Sequence, residues 1–204
     1  WQYEQEALAA GYTAVCGCDE AGAGPLAGPV YAAAVILPPY CQIEGLNDSK
    51  KLTEKKREAL YEVITQKAVC WAVARMEAAE IDATDILSAR MKAMQQAMDA
   101  LTIQPEIALI DGNRDKGRSA AITTPHKLVV GGDGKSASIA AASILAKVSR
   151  DRFVAGELDE RYPQYQFAKH KGYGTKLHYE MLGKFGPCPE HRRSFLKKWE
   201  EKRI

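Results

Sequence analysis

The sequence predicts an α/β fold, a mixed sheet with helices on its faces and a small helical C-terminal appendage over residues 160–204. Short apolar runs of strand character alternate with longer stretches of helical periodicity, in the order β-β-α-β-α-β-β-α. The 204 residues suffice for one substantial core and are short for two, so one domain over 1–204 is expected. With 46% hydrophobic and 26% charged residues, the composition is that of a folded globular chain.

Residues 13–19 read as a buried strand, followed by a glycine-rich turn and a second strand over 30–37 that stops at Pro38 and Pro39. Thr53 is placed to N-cap a helix running to about Lys67, with Ala59, Leu60, Val63 and Ile64 on one stripe. A third strand falls at 69–75. Residues 77–101 are helical in two pieces, where Ile86, Met91, Met94 and Met98 form a packing face. The run 107–110 ends in Asp111-Gly112-Asn113, a strand that delivers a carboxylate at its C-terminal end. A short strand at 127–130 precedes a long, Ala-rich helix over 136–154 that must be buried against the sheet. On that helix Ser143, Lys147 and Asp151 recur every four residues and share one face, which either borders a site or holds a Lys147–Asp151 ion pair.

The longest apolar run, residues 30–37, is far below the roughly 20 residues needed to span a bilayer, so no membrane partner is expected. The opening residues lack the basic and apolar regions of a secretion signal, and five cysteines without metal-ligand spacing fit a reduced, cytoplasmic protein. Cys16 and Cys18 share a strand face and read as core filler. Net charge is +2, but residues 1–110 carry 9 Lys+Arg against 15 Asp+Glu, while 111–204 carry 19 against 11. The basic second half is what a phosphate-binding surface needs, and solvated helix faces give similar counts.

The segment Cys18-Asp19-Glu20-Ala21-Gly22-Ala23-Gly24-Pro25 sets two carboxylates at a strand end before a loop that permits close backbone approach. Gly22, Gly24 and Gly28 do not make the dinucleotide fingerprint, and Gly134-Lys135-Ser136 ends like a phosphate loop but has Val129 where its first glycine belongs. Asn47-Asp48-Ser49 matches a glycosylation sequon without a secretory route to use it.

These residues resemble the opening motif of the ribonuclease HII family: Asp19-Glu20-Ala21-Gly22, then Gly24-Pro25-Leu26-Ala27-Gly28-Pro29. Further blocks follow in the family's order: Asn47-Asp48-Ser49-Lys50-Lys51-Leu52, Asp111-Gly112-Asn113, Gly132-Asp133, the helix motif from Ala141 to Val148, Arg150-Asp151, His170-Lys171-Gly172-Tyr173 and His191-Arg192-Arg193-Ser194-Phe195. The resemblance covers most of the chain. It implies a ribonuclease H-like fold and an endonuclease that hydrolyses the RNA strand of RNA–DNA hybrids. It also implies cutting 5′ to ribonucleotides embedded in duplex DNA, leaving 3′-hydroxyl and 5′-phosphate ends. Asp19, Glu20, Asp111 and Asp133 would be the catalytic and metal-binding carboxylates.

Four clustered carboxylates repel one another unless a cation neutralises them, and oxygen donors suit Mg²⁺ or Mn²⁺. Two ions would clamp an in-line displacement. Because adjacent strand residues face opposite ways, Asp19 and Glu20 serve one site only if the strand ends or bends between them. The family resemblance implies that backbone groups of the Gly22-Ala23-Gly24 loop, with Tyr173, read the 2′-hydroxyl. The block with Lys50 either brings that cation electrostatically toward the site or is only the turn before the helix. Tyr173, flanked by Lys169, His170 and Lys171, would be a stacking platform, and the helical segment from about 160 would contact substrate. Asp151, Lys147, Ser143 and Arg192 are accessory candidates, His191, Arg192 and Arg193 being either phosphate contacts or a charge cluster. This sequence departs from the family at Ala23, where arginine is usual, and at Gly131, where lysine is usual. The loss of two cations implies a weaker substrate grip. A nucleic-acid binder with lost catalysis and the sibling ribonuclease HIII are the alternatives. The short stretch ahead of Asp19 leaves no room for the latter's N-terminal domain. No protein partner is evident, and a monomer is expected.

Overall fold

The computed structural model describes residues 1–47 and 49–201, without the Lys50 side chain. A five-stranded mixed sheet runs in the order β3-β2-β1-β4-β5, from β1 (Val15–Ala21), β2 (Val30–Ile36), β3 (Cys70–Met76), β4 (Ile107–Asp111) and β5 (His126–Val129). The first three strands are antiparallel neighbours, whereas β4 and β5 add in parallel on the other side of β1.

Alternation along β1 sorts its side chains between two cores. Cys16 and Cys18 pack with α4 (Ile86–Asp99), whose Met91, Met94 and Met98 fill that side. Ala21 packs with α5 (Ala137–Phe153) and α2 (Glu54–Lys67) on the other. α5 lies so close on the strand that a Cβ at Gly17 would stand 2.1 Å from the Ser138 carbonyl carbon. Only glycine permits this approach. Thr53 caps α2 and Ser136 caps α5, each side chain accepting a backbone N–H three residues on. The stretch 77–101 divides into α3 (Ala78–Ala83) and α4, with Asp85 capping the second helix.

Sequence periodicity did not reveal α1 (Gln2–Ala9), which has no strong apolar stripe. It is tied down through the buried Glu4, whose Oε1 accepts from Ser136 Oγ (2.5 Å), Ser138 N (2.9 Å) and Ser138 Oγ (2.7 Å) at the head of α5. Past α5, a wider helical turn (Val154–Leu158) leads to α6 (Asp159–Arg161), α7 (Phe167–His170), α8 (Lys176–Phe185) and α9 (Arg193–Glu201). These pack on Leu26 and Ala27 of the glycine-rich loop through Tyr165, Phe167, Met181, Leu182 and Leu196. No helix among the described residues is long and apolar enough to cross a membrane.

Candidate metal centre and substrate loop

The parity that places Ala21 against α5 also points Asp19 that way, and on β4 the same face carries Leu109 and, by alternation, Asp111. The parallel register pairs Cys18 with Ile110, so Asp19, inside β1, and Asp111, the last residue of β4, lie side by side on adjacent strands. Asp133 arrives from the tight turn Gly132–Gly134 after β5. One carboxylate oxygen from each of Asp19, Asp111 and Asp133 lies within 4.8 Å of the others. Asp111 is aimed by the Gly132 N–H, which donates to its Oδ1 at 2.6 Å.

Asp19 accepts from the Glu20 N–H at 2.7 Å and from the Ser143 hydroxyl, which is itself hydrogen-bonded to Ser49 at 2.7 Å. Burial, then the charges of Glu20 and Asp111, hold the Asp19 carboxyl well above the usual carboxylate range, against the pull of those two hydrogen bonds. A cation is the natural counterweight to that excess of negative charge, and three hard oxygen donors fit a hard divalent ion.

Glu20 stands apart from this trio. The strand neither ends nor bends at Asp19: pairing with β2 continues through Glu20↔Ala32 to Ala21↔Tyr31. Glu20 therefore faces α4, where its Oε1 forms an ion pair with Arg90.

Beside the trio, the loop from Gly22 to Pro29 is clamped by two fully buried arginines. Arg192 donates to the carbonyls of Gly28 (3.0 Å), Ala23 (3.0 Å) and Gly22 (2.7 Å). Arg150 donates to those of Pro29 (3.0 Å), Ala27 (3.1 Å) and Lys171 (3.0 Å). At Gly22, with φ +88°, a Cβ would lie 2.0 Å from Arg150 Nε. Gly24 has open space around it.

Comparison with known proteins gives the family. The family described as Ribonuclease HII matches residues 16–200. The chain belongs to the ribonuclease HII family. It is 57% identical over 181 residues to the ribonuclease HII of Idiomarina loihiensis, covering 89% of this chain and 94% of that one. It is 49% identical over 197 residues to that of Caldicellulosiruptor saccharolyticus, covering 97% and 94%. Among solved structures it resembles ribonuclease H2 from Pyrococcus horikoshii (TM-score 0.74, 26% identity, 93% and 98% covered). It also resembles the RNase HII of a PCNA complex from Archaeoglobus fulgidus (TM-score 0.70, 26% identity, 88% and 94% covered). The mixed sheet with flanking helices is thus the ribonuclease H-like fold, and the chain is a ribonuclease H endonuclease.

Tyr173 is 39% exposed, but the cations over its ring are Lys147 Nζ at 5.5 Å and the Arg150 guanidinium at 5.7 Å, both from α5. Its sequence neighbours are engaged elsewhere: Lys171 Nζ donates to the Ala168 carbonyl, Lys169 Nζ to Gln166, and His170 is buried. Lys147 also makes the ion pair with Asp151, Nζ to Oδ1 2.9 Å. Arg192 is no surface phosphate contact, because burial leaves its guanidinium to the loop carbonyls. The side chain of Lys50, and Asp48 of the sequon, lie outside the described residues.

Behind Tyr173 sits a buried histidine relay that the sequence reading did not find. The Cys188 N–H donates to His191 Nδ1 (3.0 Å), so His191 Nε2 carries the proton given to His178 Nε2 (3.0 Å), and His178 Nδ1–H donates to the Tyr173 carbonyl (2.9 Å). Desolvation pushes His178 down to about 4 and His191 to about 3, and lowers His170 as well. Three histidines scattered over 22 residues gave no motif beyond the family blocks.

Proposed function

We propose that this ribonuclease HII hydrolyses the RNA strand of RNA–DNA hybrids and cuts 5′ to single ribonucleotides in duplex DNA, leaving 3′-hydroxyl and 5′-phosphate ends, with Mg²⁺ or Mn²⁺ held by Asp19, Asp111 and Asp133. The observation that carries the reading is the convergence of these three carboxylates beside a backbone loop fixed by Arg150 and Arg192. A divalent ion bound there supplies Lewis-acid stabilisation of charge on the phosphate and a more acidic attacking water. The residues do the positioning. Ser49 and Ser143 fix the Asp19 carboxylate, Gly132 fixes Asp111, and the clamped loop presents bare backbone at Gly22–Gly24 to a ribose 2′-hydroxyl. Tyr173, with Lys147 and Arg150 over its ring, offers an apolar platform in a cationic rim for the adjoining sugar. The helical portion from about 160, which carries Tyr173, is read as the substrate-contacting part. Glu20, adjacent to Asp19 but on the α4 face of β1, acts on the centre in this reading through its charge, where the family resemblance had made it a fourth ligand.

The test is cleavage of a DNA duplex containing one ribonucleotide, with Mg²⁺, Mn²⁺ or chelator, for this chain and its Ala23→Arg variant. Metal-dependent cleavage 5′ to the ribonucleotide is expected, with tighter duplex binding in the variant, whose arginine adds a charged phosphate contact. Duplex binding without product in any metal would overturn the reading in favour of a binder.

A further inference from the structure

Arg90 stands on α4 beside Met91, a helix whose buried positions past Ser88 are all methionine and alanine, and its side chain keeps only 28% of its exposure. Its Nε is buried without a hydrogen-bond partner. An arginine in such a place carries a desolvation cost that one interaction offsets, the ion pair with Glu20, itself only 12% exposed. Glu20 follows Asp19 directly in β1, so its carboxylate lies one residue from the trio on the opposite face of the strand.

We propose that Arg90 is a positioning residue that sets how tightly the carboxylate centre holds divalent cations, by neutralising Glu20 and keeping it on the α4 face of the sheet. The proposal rests on the reading of Asp19, Asp111 and Asp133 as a cation site. Loss of the arginine's charge from beside Glu20 would deepen the negative potential at the trio, and a divalent ion feels that change twice over. Arg90 therefore weakens cation binding while holding down repulsion in the folded protein. This control reaches the site from behind the sheet, through the strand, from a residue that faces no substrate.

The experiment is Mn²⁺ titration by electron paramagnetic resonance and calorimetry, on the full chain and on Arg90→Met, Arg90→Lys, Glu20→Gln and the Glu20→Gln/Arg90→Met double variant. Arg90→Met is expected to tighten Mn²⁺ binding on the order of tenfold. Arg90→Lys, which keeps the charge, should stay near the parent. In the Glu20→Gln background Arg90→Met should gain much less, because only the arginine's own charge is then lost and no carboxylate is released beside Asp19, a difference that a merely structural role would not produce. Should Arg90→Met not fold, Arg90→Gln carries the same expectation. Parent binding that Arg90→Met leaves unchanged or weaker, or an equal gain in the Glu20→Gln background, overturns this proposal alone. Absence of Mn²⁺ binding by the parent overturns it together with the cation site.

Discussion

Asp19 is a carboxylate folded at a cost. Burial and the neighbouring charges of Glu20 and Asp111 raise its proton affinity well above that of an exposed aspartate. Asp19→Asn keeps the hydrogen bond from the Glu20 N–H and removes the repulsion, so in chelator it should be more stable than the parent by about 1–2 kcal/mol. Thermal melts with and without Mn²⁺ check this: the ion should raise the parent's melting temperature and leave that of the variant where it was. Cleavage should vanish in the same variant. Gly22 gives the opposite outcome. Alanine there meets both a positive φ and the Arg150 side chain, so Gly22→Ala should lose stability and activity together, whereas Gly24→Ala meets open space and should fold normally. Which glycine mattered was not readable in the sequence, because the motif presents them as equivalents and only the packed guanidinium distinguishes them.

At the level of elements, the strands and helices near the site were legible because their periodicities are strong and their caps explicit. Thr53 and the carboxylate at the end of β4 stand where the pattern placed them. The relation of Asp19 to Glu20 was not legible, since whether a strand bends after an acidic pair depends on its neighbour, and here β2 pairs past it. Nor was α1, which is held by the tertiary contact of Glu4 with the head of α5 rather than by an amphipathic stripe. Glu4→Gln keeps the shape but exchanges a charged acceptor for an amide beneath three donors, and should cost about 1–3 kcal/mol in chemical denaturation. Arg192 was legible as a family residue and misleading in its role. Arg192→Lys cannot reproduce a fork spread over three carbonyls and should lose more than about 2 kcal/mol, with weaker hybrid binding as the loop loosens.

For the molecule as a whole, acid should undo the C-terminal portion before the sheet. His178 and His191 are neutral in the fold down to about pH 4 and 3, but take up protons near pH 6.5 once unfolded. Between those limits the unfolded chain binds more protons, so stability is retained above about pH 6.5 and falls as pH drops through the window, by roughly 1.4 kcal/mol per unit for each histidine. Melting temperatures from pH 7.5 to 4.5 should trace that decline, with a shallower slope in His178→Gln. The two arginine clamps carry a consequence for the order in which the enzyme is made. During synthesis the three aspartates are all in the chain once residue 133 is added, yet Arg192 and the last link of the histidine relay follow some sixty residues later. A nascent chain can thus assemble its carboxylates well before it can hold the loop beside them, the delay being set by the stretch of chain between Asp133 and Arg192.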